Sequence, residues 1–308
     1  MVHPVKMIDE TLAGLDAGAW RKRLARITEE HGTFEELGAS HVSCLIEDGT
    51  TLLVTFETEQ DIRALDEEAQ PIGWEMVKSL GWSSLALIGD GETWFRDDAV
   101  YDHVDRMIDD GFFDGFERVL FYGAGSCGYA AAAFSVAAPG ATVLAIQPQA
   151  TLTPEIAGWD HRFGAARARD FTTRFGYAPD MIDACDHCFL VYDPLVALDA
   201  MHAALFTRPN VTKLPIRRIG AEAQTRMMEM QVLHRLLARA GNGQLSRPGF
   251  ARLMRARRSH PPYLSHLLAQ LEAAGRDDLA LRLCRNVSQR MTAPRFERRM
   301  RDLEAARG

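Results

Sequence analysis

The chain has 308 residues, 47% of them hydrophobic and 25% charged, and a formal net charge of −7. That length holds one large domain or two small ones at roughly 150 residues per domain, and the composition excludes a disordered, collagenous or coiled-coil chain. No apolar run approaches the ~20 residues that span a bilayer, so no membrane partner is expected; Met1 to Lys6 lead into Asp9, Glu10 and Asp16, not into the apolar core of a signal peptide, and a cytoplasmic location is expected.

Residues 8–31 carry Ile8, Leu12, Leu15, Trp20, Leu24 and Ile27 at a loose helical spacing, and residues 1–44 are read as a helical segment that packs on the core. After the turn at Asp48-Gly49, the β-branched run Thr50 to Phe56 predicts the first strand. A helix over 73–80 leads to a second strand at 84–88, closed by Gly89-Asp90-Gly91. Val100, Val104, Met107 and Ile108 share one face of the next helix, 100–108, which precedes a strand at 118–122. That strand runs at once into Gly123-Ala124-Gly125-Ser126-Cys127-Gly128 and an alanine-rich helix ending at Ala138. A fourth strand at 141–146, an aromatic and basic insertion at 151–183, a strand at 188–192, a helix at 198–206 and a last strand at 211–219 complete the series.

Alternating strands and helices, with near-continuous apolar strands, predict an α/β fold around a mainly parallel sheet with helices on both faces. Ligands collect at the carboxyl ends of such strands, here Glu57, Gly89 to Glu92, Gly123 to Gly128, Gln147 to Gln149 and Asp193. Past Ala240 the pattern is wholly helical, with Tyr263 to Leu271 and Leu279 to Val287 forming a hairpin about Gly275. Residues 241–308 hold 14 Arg, no Lys and 6 acids, a balance of +8; the first 240 residues hold 21 basic and 36 acidic residues, a balance of −15. The sign reversal marks 241–308 as a separate basic extension. Acidic surface of this chain or of a second copy is the simpler partner for Arg252, Arg255, Arg257 and Arg258, so a homo-oligomer through these helices is expected and nucleic acid is not.

Gly123, Gly125 and Gly128 fit G-x-G-x-x-G, but dinucleotide binding needs that motif on the first strand and an acid after the next one. Here it follows the third strand, and the next ends in Gln147-Pro148-Gln149, so no cofactor is expected. The segment Val119 to Phe134 instead resembles the nucleophile elbow of the α/β hydrolases, a turn that lifts a serine above the sheet. The resemblance extends over residues 45–240, with 151–183 where such proteins often place a helical lid. Phe121-Tyr122-Gly123 and Gln147-Pro148-Gln149-Ala150-Thr151 are similar to an uncharacterised bacterial branch of that superfamily, some of whose members are labelled phosphoadenosine-phosphosulfate reductase; no reductase cysteine motif is present.

The resemblance implies a serine flanked by glycines two residues to either side. Counting from the strand, Gly123 takes the first glycine place and Gly125 falls on the serine place; shifting by one makes Ser126 the nucleophile between Ala124 and Gly128. The unshifted register is preferred. Asp193 stands where the family's acid follows its strand, but Ile219-Gly220-Ala221-Glu222-Ala223-Gln224 contains no histidine where one is due. The expectation is a degenerate triad and a protein that binds a small anionic or glycan-related ligand, or a protein partner. The rival is a hydrolase or acyltransferase using Ser126 or Cys127 with Asp193 and His202. Cys127 opens a helix, where a thiolate is stabilised. Trp94 and Arg96, with Gln147, Trp159, His161 and Arg162, are expected to rim the site, arginine suiting a carboxylate or phosphate. Cys185 and Cys188 have a metal-like spacing without a second pair, so no metal is expected, and all five cysteines are expected to be reduced.

Overall fold

The computed structural model describes residue 8 and residues 10–306. The chain begins with α1 (Ala17–His31), the hairpin β1 (Gly32–Leu37) and β2 (His41–Ile46), β3 (Thr51–Thr58), α2 (Glu59–Leu65), α3 (Ile72–Leu80), β4 (Ser83–Gly89) and α4 (Asp98–Asp109). It continues through β5 (Arg118–Ala124), α5 (Ser126–Phe134), β6 (Thr142–Ile146), the short α6 (Pro154–Ala157) and α7 (Ala178–Met181), β7 (His187–Tyr192), α8 (Ala197–Leu205) and β8 (Val211–Pro215). The remaining helices are α9 (Ala223–Glu229), α10 (Leu233–Gly241), α11 (Arg247–Leu253), α12 (Pro261–Ala273), α13 (Asp277–Ser288) and α14 (Pro294–Ala305).

Among the described residues the eight strands form one sheet in the order β1-β2-β4-β3-β5-β6-β7-β8. The β2 strand runs antiparallel to β1 and β4, and every pair from β3 and β4 to β7 and β8 is parallel. The fold is thus the expected mixed α/β type, a mostly parallel sheet surrounded by helices. Side chains alternate across a strand, and β4 shows the result. Leu85 and Leu87 join Leu52, Val54, Phe56 and Phe121 in the core that α5 covers, whereas Ala86 and Ile88 join Val42, Cys44, Trp74, Trp20, Leu24 and Ile27 in the other. Burial of a side chain such as Leu24, fully enclosed, contributes about 2 kcal/mol.

Three expectations change. The segment 1–44 is not wholly helical: α1 covers only its middle, and Gly32 to Ile46 is the hairpin that forms one edge of the sheet. Phe34 and Val42 pack against the α1 side of the core, a long-range contact with no local signature. The last strand ends at Pro215, four residues early, and the chain turns at Arg218, where φ is 66°. The chain also divides into two compact units at Phe250 and Ala251, not at 240. The reason lies at Gly241, where a β-carbon would stand 2.3 Å from the Trp82 ring, so this close approach holds the end of α10 in the first unit. In the second unit α12 and α13 form the expected hairpin about Gly275, at φ 61°, and α14 adds Phe296 and Leu303 to its buried residues.

Candidate functional site

The turn between β5 and α5 is built by three glycines with different duties. At Gly123 a β-carbon would lie 2.1 Å from the Cys127 carbonyl oxygen, so the strand and the first turn of α5 approach as closely as only glycine allows. Gly128 faces the Gly123 and Ile146 carbonyls, at 3.2 and 3.3 Å from its would-be β-carbon. Gly125 sits at φ 57° and ψ −126°, on the sharp corner between strand and helix, and a β-carbon there would meet nothing within 4 Å. Its amide donates to the Ile146 carbonyl at 2.9 Å and its carbonyl accepts from the Tyr129 amide at 3.0 Å. The sharp corner therefore falls on Gly125, one residue before Ser126.

Ser126 and Cys127 lie in the first turn of α5, both buried. Burial pushes the Cys127 thiol well above its ordinary pKa, Asp61 and Glu57 push it the same way, and the hydrogen bond with Ser126 only partly opposes them. A helix N-terminus thus yields no thiolate here. Among the described residues no histidine meets either side chain. Asp193 occupies the expected place after β7 and is buried, but its Oδ2 accepts from the Gly220 amide and its Oδ1 from the Leu195 amide, both at 2.9 Å. The carboxylate caps the loop after β8.

His202 is fully buried on α8 with both ring nitrogens engaged. The Ala150 amide donates to Nδ1 at 3.1 Å, so the proton resides on Nε2, which donates to Asp160 Oδ2 at 2.9 Å. Burial lowers the His202 pKa against the pull of Asp160 and keeps the ring neutral. For Asp160, burial works upward, but hydrogen bonds from Arg162 and His202 prevail and hold it at about 2. Arg162 completes the network by donating from Nε and Nη2 to Asp160 and from Nη1 to Asp199 Oδ1 at 2.7 Å. Gln147, in the left-handed region at φ 49°, donates from Nε2 to Asp199 Oδ2 at 2.6 Å and to the Gly220 carbonyl, and accepts from the Ala223 amide at 2.9 Å. These bonds tie the insertion, α8, the end of β6 and the loop after β8 into one wall.

Beside Gly125 that wall encloses a cleft of about 260 Å³ lined by Asp61, Gln147, Gln149, Arg162, Phe163, Asp199 and Glu222, among others. Of the expected rim, Gly125, Gln147 and Arg162 are there. Trp94 is instead fully buried beneath the insertion, edge-on to Phe163 and Phe171 with ring centroids 5.0 and 5.5 Å away. Arg96 is buried too and donates to the carbonyls of Asp170 and Arg174 and to Thr173 Oγ1, pinning the insertion from below. Trp159 packs on His202, ring centroids 4.6 Å apart, and donates to the Ile156 carbonyl; His161 is exposed, and neither lines the cleft. Of the other lining residues, Gln149 belongs to the strand end expected to meet ligands, whereas Asp61, Asp199 and Glu222 carry no binding motif in the sequence. The only local sign was Asp199, three residues before His202 and so on the same helix face. Cys185 donates to Ser135 Oγ at 3.1 Å and Cys188 is enclosed in β7; the five cysteines are free. Among the described residues no three metal-ligating side chains converge and no helix is long and apolar enough to cross a membrane.

Solved structures of esterases and of an acetyltransferase resemble the chain at low identity. An esterase from Pyrobaculum calidifontis is 12% identical over 75% of this chain and 95% of its own, with a TM-score of 0.44. EstE1, a thermostable carboxylesterase cloned from a metagenomic library, is 14% identical over 77% of this chain and 99% of its own, also at 0.44. The capsule O-acetyltransferase of Neisseria meningitidis serogroup A is 13% identical over 65% of this chain and 93% of its own, at 0.37. No model of a protein family matches the chain, and no curated protein does.

Proposed function

We propose that the protein is an α/β-hydrolase-like chain with a degenerate triad, which binds a small polar ligand in the cleft beside Gly125 without hydrolysing it. The observation that carries this reading is the glycine at the strained corner, φ 57° and ψ −126°, where the fold would present its nucleophile. With no side chain there, with Asp193 engaged by backbone amides and with both nitrogens of His202 occupied, the nucleophile, the base and its orienting acid are each missing from their roles. Loss of a member of such a unit costs about 10⁴-fold or more in rate. Within the expected ligand classes the lining favours the glycan-related over the anionic, because Arg162 already serves two carboxylates.

Ester hydrolysis or acyl transfer, the chemistry named for the similar structures, would here have to use Ser126 or Cys127 without a neighbouring imidazole. Treating the full chain with a fluorophosphonate probe, and assaying p-nitrophenyl acetate beside it, separates the two readings. No active-site labelling and no hydrolysis above buffer are expected. Labelling that disappears in Ser126→Ala, or hydrolysis that disappears in Cys127→Ala, would overturn the binding reading in favour of the enzyme.

A further inference from the structure

Between α4 and the β1–β2 hairpin lies a gap that no side chain fills. Side chains alternate across a strand, and the cross-strand pairs Thr33 with Leu45 and Glu35 with Ser43 stand side by side on the face toward α4. The N-terminal half of α4 packs through Val100 and Val104 in one core with Leu37. Its C-terminal half carries His103, Arg106, Met107 and Asp110, which share a helix face by their spacing, over strand positions that are mostly short or polar. A cavity of about 290 Å³ results, with Leu45, Met107 and Phe112 as its apolar wall. It shares no residue with the cleft beside Gly125.

Hydrogen-bonding capacity and charge limit what fits there. Ser43 is only 3% exposed, and its hydroxyl makes no hydrogen bond among the described residues. Unlike the sealed His103 Nε2, its oxygen keeps accessible surface, and the cavity is what it faces. An enclosed hydroxyl without a partner is unfavourable, and a ligand oxygen beside it would remove that cost. At the mouth Arg106 spends both Nη2 hydrogens, on Glu35 Oε1 and on His103 Nδ1 at 2.9 Å, and keeps three N–H groups on Nε and Nη1. The charges of the lining pair off: Glu35 meets Arg106, burial lowers the His103 pKa against the pull of Glu35 and keeps the ring neutral, and Asp110 is exposed at the end of α4, where water screens it. An anion would meet Glu35 and Asp110, and a cation would meet Arg106, so an uncharged group is favoured.

We propose that this cavity binds a small uncharged carbonyl compound, an amide or ketone whose oxygen accepts from the Ser43 hydroxyl, with Arg106 as a further donor at the mouth. Its apolar ring or short chain lies on Leu45, Met107 and Phe112. The volume is at the low end of the roughly 300–1,000 Å³ of ligand pockets and limits the occupant to the size of one substituted ring.

Benzamide, benzoate, benzylamine and toluene carry one ring with substituents of different charge and polarity, and titrating each into the full chain at pH 7, followed by saturation-transfer NMR, tests the proposal. Benzamide should bind about tenfold or more tightly than benzoate and benzylamine, and more tightly than toluene. Ser43→Ala removes a hydroxyl that bonds nothing within the chain, so the fold is kept while benzamide weakens toward the affinity of toluene. Ser43→Leu and Met107→Trp each put side-chain volume into the cavity from opposite sides, and either should abolish benzamide binding. No binding of benzamide, equal or tighter binding of a charged probe or of toluene, unchanged benzamide affinity in Ser43→Ala, or binding that survives both cavity-filling changes would overturn the proposal.

Discussion

Single residues decide whether this elbow can exist and what it can do. Gly123→Ala would drive a β-carbon into the Cys127 carbonyl, a backbone group that cannot swing aside. A loss of roughly 3 kcal/mol or more is expected from such overpacking, read as a lowered midpoint in denaturant. Gly125→Ser is different, because space is open there and the penalty is the left-handed corner alone, about 1–3 kcal/mol. That variant should fold with a lower Tm and still fail to hydrolyse p-nitrophenyl acetate, since a serine without a base is a poor nucleophile. Glu57 carries a pH signature. Burial raises its carboxyl pKa to about 7, against hydrogen bonds from Thr55 and from the Ile72 amide. The unfolded chain releases this proton near the ordinary value of 4.5, so between there and 7 the folded state holds more protons and stability falls as pH rises. Glu57→Gln, neutral throughout, should flatten that slope, as measured by urea midpoints at pH 5 and pH 8.

At the scale of elements, the insertion over 151–183 is bound down at two levels. Arg96 reaches up to carbonyls of Asp170 and Arg174, 74 and 78 residues away, and His202 holds Asp160 from α8. Arg96→Met keeps the apolar stem but strands those carbonyls. A loss of about 2–4 kcal/mol is expected from hydrogen bonds to a charged donor, together with faster proteolysis confined to residues 151–183. The helices and strands of the first unit were mostly legible in advance, because the parallel strands from β3 to β7 are largely apolar runs bounded by turn residues. The hairpin β1 and β2 was not. Its β1 reads Gly-Thr-Phe-Glu-Glu-Leu, too polar to announce itself, and only pairing with β2 and cover from α1 make it a strand. The site was legible to the extent that it lies on one local turn. Gly123, Gly125 and Gly128 could be read from spacing, whereas Arg162 finds Asp199 37 residues away and the cleft draws on α2, β6, the insertion, α8 and the loop before α9.

For the whole molecule, the charge of −7 is the difference between an acidic α/β unit and an arginine-rich helical one. Within the second unit Arg285 pairs with Glu304 and Arg299 with Glu272, while Arg257 stacks on Tyr263 at 5.9 Å. Self-association through the basic helices should weaken as salt shortens the Debye length and with charge reversal at Arg255 and Arg257; sedimentation velocity that responds to neither removes the homo-oligomer reading. The alternation of helices with the six parallel strands, the place of the glycine turn and the absence of a histidine after the last strand were determined by the sequence alone, because each depends on residues close together in the chain. Only the tertiary structure decided that the strained corner falls on Gly125, that His202 has no free nitrogen and that Trp94 and Arg96 are buried supports. Each of those depends on which distant groups a side chain meets once it is enclosed, and no spacing along the chain encodes that.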